Sequence, residues 1–367
     1  MFEFFPDNKS WSFTSLRLLA ESYYGGGEFN ECYRTLARMK SGDPESWHRE
    51  WLATAQSVEE MARREESSGH AQTAMKAYFR AANYYRNAEF FLPHTDERKL
   101  PTYKKSVECF RAAARLHGSI EVVEVPFENT PMPGYFLRPA AQSDKPPVQI
   151  LMGGADSTAE ELYFLASREA VSRGMACIIV DGPGRGGMLR LKKVLARPDY
   201  EKPIGAIIDY LTTRGDVDKN RIALFGLSMG GYYVARAAAY EKRVKACVVH
   251  FGAYDALSEI YDFYPPLRGQ FQWIVGADSE AETRKALSRF TLEGSAERIE
   301  CPLLILHGED DIVTDCKGAK RLFAEARCEK QLRLFESGEP GSTHCAYDNH
   351  AEVFPFIHDW LRDRLAS

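Results

Sequence analysis

Ile222-Ala223-Leu224-Phe225-Gly226-Leu227-Ser228-Met229-Gly230-Gly231 is the stretch whose reading decides the fold. The apolar run 222–225 reads as a buried strand, and the alanine-rich stretch over about 229–241 reads as a helix. Between them lies G-x-S-x-G. A serine on a strained strand-to-helix turn needs very small neighbours two positions away on either side, and Gly226 and Gly230 meet that demand. A helix starting at Met229 aims its first N–H groups at an oxygen on which negative charge develops. Ser228 is therefore the candidate nucleophile. The plainer alternative is a glycine-rich turn that only packs the helix close to the sheet.

Outward from this turn, short apolar runs alternate with helical patterns. Strands are expected at 148–152, 176–180, 246–251, 303–306 and 331–335. Helices are expected near 158–173, 202–213, 317–327 and 350–364. Such alternation predicts a mostly parallel, doubly wound sheet. Ahead of it, the valine-rich alternating run 120–127, the turn Asn129-Thr130-Pro131-Met132-Pro133-Gly134 and the run 135–138 read as a hairpin that adds an antiparallel edge. With the serine turn, this is the grammar of the α/β-hydrolase fold. About fifty residues, roughly 252–300, interrupt it. They carry Tyr254, Tyr261, Phe263, Tyr264, Phe271 and Trp273, and an insertion of that length is usually functional.

A serine hydroxyl is a poor nucleophile without a base, and the chain order in this fold is serine, acid, histidine. Leu303-Leu304-Ile305-Leu306-His307-Gly308-Glu309-Asp310-Asp311 is a buried strand entering an acidic turn. Asp311 has the usual spacing after the His-Gly pair and is the candidate acid, with Asp310 as its competitor; His307 reads as shaping the turn. Gly341-Ser342-Thr343-His344-Cys345 follows the last strand and precedes the last helix, which makes His344 the candidate base. His250 ends a strand and could line the site, but it precedes the acid. The second N–H donor to a developing oxyanion belongs in the loop Met152-Gly153-Gly154-Ala155-Asp156-Ser157-Thr158, where paired glycines allow close approach. Gly154 or Ala155, together with Met229, are the expected donors.

Residues 1–117 read differently, as an almost entirely helical part broken at Gly25-Gly26-Gly27 and Pro93. Tyr78, Phe79, Ala82 and Tyr84 form a face that needs burial. The pattern is similar to tetratricopeptide helical pairs but lacks their clean repeat. The expected organisation is thus a helical part over 1–117 and a catalytic part over 118–367. The charge of -5, from 52 acidic and 47 basic side chains interspersed without a basic block, argues against nucleic acid and anionic membrane as partners. No run of about 18 apolar residues is present, and the N-terminal stretch lacks the basic and apolar regions of a signal peptide. The eight cysteines are scattered without a C-x-x-C pair, which suits a reducing cytoplasm better than a disulfide framework. No zinc motif occurs, and the glycine-rich 182–187 is not followed by Lys-Ser/Thr and is no P-loop. A small-molecule substrate and no cofactor or metal are expected.

Gly-Gly-Ala-Asp-Ser-Thr-Ala-Glu-Glu (153–161), Asp-Gly-Pro-Gly-Arg-Gly (181–186), Gly-Leu-Ser-Met-Gly-Gly (226–231) and Gly-Ser-Thr-His-Cys (341–345) resemble one branch of the α/β-hydrolases. That branch contains 2,6-dihydroxypseudooxynicotine hydrolase, with the fungal polyketide-shortening hydrolases and FrsA-like esterases nearby. The resemblance covers most of the chain. It implies a homodimer in which the helical part acts as a lid, and hydrolysis of a carbon–carbon bond next to a ketone in an aryl or polyketide-like compound. It also implies an extra carboxylate some thirty residues after the nucleophile. Glu259 lies near that place, with Asp255 close by. The competing readings are a carboxylesterase, thioesterase or amidase with the same triad, acyl transfer or cyclisation from the same acyl-enzyme, and a non-catalytic helical-repeat interaction protein.

Overall fold

The computed structural model describes residues 3–140 and 145–366. The N-terminal stretch and the outer limits of both expected parts include residues 1, 2 and 367, which lie outside the described residues, as do 141–144. The chain forms two compact units. One runs to Val122 and takes in Tyr163–Leu165; the other comprises Val123–Leu162 and the chain from Ala166 onward.

The first unit holds helices α1 (Lys9–Glu21), α2 (Phe29–Ala37), α3 (Pro44–Ser67), α4 (Ala71–Phe90) and α5 (Lys99–His117). Two of its helix starts show the caps expected of Asn and Asp: Asn8 accepts the Trp11 N–H, and Asp43, ahead of Pro44, accepts those of Glu45 and Ser46. The core is aromatic. Trp47 and Trp51 of α3 are fully buried; Trp47 donates its indole N–H to the Asn87 carbonyl at 2.8 Å, and Trp51 stacks on Tyr84 with centroids 5.4 Å apart. Tyr78, Phe79, Ala82 and Tyr84 are all buried.

The sheet has eight strands: β1 (Ile120–Val125), β2 (Met132–Leu137), β3 (Val148–Met152), β4 (Ala176–Val180), β5 (Ile222–Leu227), β6 (Val244–His250), β7 (Leu303–Gly308) and β8 (Lys330–Phe335), in the order β1-β2-β4-β3-β5-β6-β7-β8. β2 runs antiparallel to β4, and every pairing from β4 through β8 is parallel. β3, β4 and β5 are buried along their whole length, as strands covered on both faces must be. The remaining helices are α6 (Ala159–Leu162), α7 (Arg168–Ser172), α8 (Gly186–Arg190), α9 (Glu201–Thr213), α10 (Met229–Tyr240), α11 (Arg268–Val275), α12 (Glu280–Leu287), α13 (Lys317–Glu325) and α14 (His350–Leu365).

One local expectation changes, and two further segments take shape. The helix expected over 158–173 is split into α6 and α7 by a π-turn at Tyr163–Ser167. The wider turn re-aims its aromatic side chains, and Tyr163 stacks on Phe79 with centroids 4.7 Å apart. The glycine-rich loop after β4 closes at once into α8. The insertion over about 252–300 is structured, with a π-turn at Leu257–Tyr261 followed by α11 and α12.

Strand register sets up the site. Met152 pairs with Gly226, Leu227 with His250, and His250 with Leu306. The next residues along, Gly153, Ser228, Phe251 and His307, therefore emerge together at the carboxyl edge of the sheet, the usual place for ligands in such folds.

Candidate active site

Ser228 sits between β5 and α10 with φ 56° and ψ −128°, a conformation that non-glycine residues rarely adopt. The turn cannot relax, because its neighbours are in close contact. A Cβ on Gly226 would stand 2.1 Å from the Gly230 carbonyl oxygen, and one on Gly230 would stand 2.2 Å from that of Met152. The Ser228 N–H donates to the His250 carbonyl at 2.9 Å, so the end of β6 holds the turn in place. Strain of this kind costs about 1–3 kcal/mol and is retained where the surroundings over-determine it.

Asp311 and His344 meet. His344 Nδ1 lies 2.7 Å from Asp311 Oδ2, both side chains being buried. Asp311 Oδ1 accepts the backbone N–H groups of Val313 at 2.7 Å and Thr314 at 2.9 Å. His307 Nε2 also faces the carboxylate, 3.1 Å from Oδ2 and 3.0 Å from the Thr314 carbonyl. Facing two oxygens, Nε2 must carry the proton. Burial opposes the charge on Asp311, but the two imidazoles outweigh it and hold the carboxyl well below the usual carboxylate range. An ionised Asp311 fixes the proton of His344 on Nδ1 and leaves Nε2 as the basic nitrogen. The loop that presents His344 is itself strained: Cys345 and Ala346 have φ of 54° and 53°. The Phe251 ring packs between the two imidazoles, 4.9 Å from His307 and 6.0 Å from His344.

Asp310 is committed elsewhere. It accepts hydrogen bonds from Ser337 Oγ, the Gly338 N–H and Ser342 Oγ. Its carboxyl is lowered chiefly by the Gly338 N–H and organises the loop ahead of His344. His250 is fully buried, and burial pushes its imidazole down to about 3, so it is neutral.

The two candidate donors after β3 separate. Gly154 lies against the nucleophile: a Cβ there would stand 3.0 Å from Ser228 Cβ and 3.2 Å from its Oγ. Its N–H, however, already donates to Ser157 Oγ at 3.1 Å. Of the two expected donors, the Gly154 N–H is thus already engaged within the loop. Among the described residues no acceptor takes the Ala155 N–H. The Met229 N–H is the first of α10 and has no acceptor within the helix.

Glu259 is buried in the π-turn of the insertion. Its Oε2 accepts the Tyr254 N–H at 2.7 Å, and its carbonyl accepts the Asp315 N–H at 3.0 Å. The carboxylate fills the space where a side chain at Gly318 would stand, with Oε2 2.0 Å from the Cβ position. Burial, which outweighs the backbone donors, pushes its carboxyl up to about 7. Among the described residues no hydrogen bond joins Glu259 to Ser228, Asp311 or His344.

Sequence reasoning missed three residues here. His307 contacts the acid as well as the turn. Arg185, fully buried, donates to the carbonyls of Gly153 at 2.9 Å and Val180 at 2.7 Å. Asp181, raised by burial and by Glu160 nearby, accepts the Gly187 N–H at 2.7 Å. The Asp-Gly-Pro-Gly-Arg-Gly motif was visible, but the Gly153 carbonyl that its arginine holds lies 32 residues away. Among the described residues no group of three or more His, Cys, Asp or Glu could hold a metal ion, and no helix is long and apolar enough to cross a membrane.

An eight-stranded, mostly parallel sheet with a serine on the turn between its central strand and the following helix defines an α/β-hydrolase. The chain belongs to the FrsA-like esterase family, whose model matches residues 27–366. It is 34% identical to "Hydrolase LUC6" of a Fusarium species over 98% of this chain and 97% of the relative. It is 33% identical to "20-hydroxy-prefusarin hydrolase FUS2" of Gibberella moniliformis, covering 97% and 96%. The crystal structure of 2,6-dihydroxy-pseudo-oxynicotine hydrolase superposes with a TM-score of 0.83 at 27% identity, covering 95% of each chain. The chain is thus a hydrolytic enzyme, which sets aside the reading as a non-catalytic interaction protein.

Proposed function

We propose that the chain is a serine hydrolase that cleaves a carbon–carbon bond next to a ketone in an aryl or polyketide-like small molecule. Ser228 attacks the ketone, His344 takes its proton, Asp311 orients His344, and the N–H groups of Ala155 and Met229 receive the oxyanion. The observation that carries the triad is the 2.7 Å contact of His344 Nδ1 with a buried, doubly N–H-bound Asp311, together with a serine held at φ 56° on the turn after β5. Similarity to hydrolases named for 20-hydroxy-prefusarin and 2,6-dihydroxy-pseudo-oxynicotine supports a ketone-bearing substrate. Glu259 supports the bond assignment. A carboxyl raised to about 7 is protonated in a useful fraction near neutral pH, and a carbon leaving group needs an acid that an ester does not. Ester, thioester or amide hydrolysis uses the same residues and is the second reading, favoured by the family's esterase description. Acyl transfer or cyclisation differs only in what resolves the acyl-enzyme. The same reading has the chain working as a homodimer, which sedimentation measures directly.

Ser228→Ala tests the core of the proposal. A small side chain still fits the turn, so the variant stays folded, loses nearly all turnover and no longer reacts with a fluorophosphonate. Labelling equal to the parent's sinks the assignment. Mass spectrometry of products from a panel of aryl ketones, 1,3-diketones, esters and amides then decides the bond.

A further inference from the structure

The loop after β3 is held at four points, and one of them comes from the insertion. The peptide joining Gly153 to Gly154 is fixed at both ends: its carbonyl accepts Arg185 Nη1 at 2.9 Å, and its N–H donates to Ser157 Oγ at 3.1 Å. The peptide joining Ala155 to Asp156 is fixed by Gln270 of α11, whose Nε2 donates to the Ala155 carbonyl at 2.9 Å. The peptide between these two carries the Ala155 N–H.

A peptide is planar and turns only about the bonds to its flanking Cα atoms. One of those atoms here is Gly154. Glycine suits this place, because a Cβ would stand tightly, 3.0 Å, from Ser228 Cβ. Glycine makes rotation cheap, so a free loop could turn the Ala155 N–H away at little cost. An oxyanion hole works only when its donors are already oriented as charge develops. Within that peptide the Gly154 carbonyl is held only by the Ser157 N–H at the long distance of 3.4 Å, so the shorter contact that opposes this rotation lies beyond Ala155, where Gln270 acts.

We infer that Gln270 is a positioning residue for the oxyanion hole, holding the Ala155–Asp156 peptide so that the Ala155 N–H stays aimed at the substrate oxygen. This rests on the serine-hydrolase reading above. It also assigns the aromatic insertion a part in the chemical step.

Two variants of the full chain test it. Gln270→Met keeps the length and removes the donor. Gln270→Glu keeps the shape and sets an acceptor against a carbonyl. Gln270 is half-buried, so either change is tolerable in a way that replacing the fully buried Arg185 is not. With a small nitrophenyl ester, kcat should fall about tenfold or more in both, the rate equivalent of one well-placed charged hydrogen bond, with KM within about twofold of the parent. Affinity for an aryl trifluoromethyl ketone, whose serine adduct carries an oxyanion, should fall by the same factor as kcat/KM. Affinity for the matching methyl ketone should not change. The ratio of the two ketone affinities does not depend on the fraction folded, so a partly unfolded variant still decides. Unchanged kcat, a rise in KM alone, or equal losses for both ketones overturn the inference. Ser228→Ala run alongside separates the two proposals. If it keeps turnover, the serine-hydrolase reading fails. If it is inactive while both Gln270 variants match the parent, only the Gln270 assignment falls.

Discussion

Asp311 and Glu259 are both buried carboxylates, and their surroundings give them opposite chemistry. Asp311, in the turn after β7, receives two backbone N–H groups and faces two imidazoles. Glu259, in the π-turn of the insertion, receives one side-chain hydrogen bond, from the Tyr254 N–H. Burial penalises the charge on both. At Asp311 the donors outweigh it and the carboxyl stays ionised; at Glu259 they do not, and the carboxyl rises to about 7. Burial alone therefore does not tell whether a carboxyl stays ionised or keeps its proton near neutral pH. The groups that face it do, above all the imidazoles at Asp311.

The largest effect should come from removing the charge where the donors hold it. Asp311→Asn retains the shape but favours the wrong His344 tautomer, and kcat should drop on the order of 10⁴-fold, the value known for the equivalent change in a serine protease. A loss of less than about tenfold would show that Asp311 is not the orienting acid.

At the other carboxylate the effect should depend on the bond. Glu259→Gln should depress ketone cleavage about 10²-fold, the scale of a positioned acid, and leave a nitrophenyl ester nearly untouched. If both activities fall together, the residue is structural, acting through its contacts with Asp315 and the Gly318 position.

The donor count itself can be varied. His307→Phe keeps a ring against Phe251 but takes one N–H away from Asp311, and kcat should fall about tenfold. His307→Gln, whose amide N–H reaches a similar place, should recover most of that loss. Equal damage from both variants would mean that His307 only fills space.

The two carboxylates should also give stability opposite pH slopes. Glu259 is raised above its ordinary 4.5, so its contribution is complete below about pH 4.5 and is lost as pH climbs to about 7. A shift of that size amounts to about 3 kcal/mol. Asp311 is lowered, so its contribution is present above its ordinary 3.8 and is lost as pH falls below that. Denaturant melts at pH 5 and pH 7.5 should show Glu259→Gln gaining on the parent at the higher pH; parallel changes in the two proteins would contradict the raised carboxyl.

The smallest effect belongs to the neighbour. Asp310→Asn should change kcat only a few-fold and cost about 1 kcal/mol by loosening the 337–342 loop. A large catalytic loss there with a mild Asp311→Asn would shift the acid by one position.

Much of this was legible without coordinates because the decisive constraints are local. The apolar run 222–225, the flanking glycines and Ser228 define a strand, an elbow and the serine it presents within ten residues. His-Gly followed by Asp at 311, and a lone histidine at 344 between the last strand and the last helix, follow from chain order. Strand positions from β3 to β8 follow from short apolar runs with helices between them.

Tertiary structure decided whatever depends on partners distant in sequence. No local pattern shows that Gln270 reaches back across more than a hundred residues to the Ala155 carbonyl, or that Arg185 reaches the Gly153 carbonyl. Local sequence determines backbone conformation through steric limits and the burial pattern. It does not determine where a side-chain donor finds its acceptor, because that follows from how separate strands and loops align at one edge of the sheet.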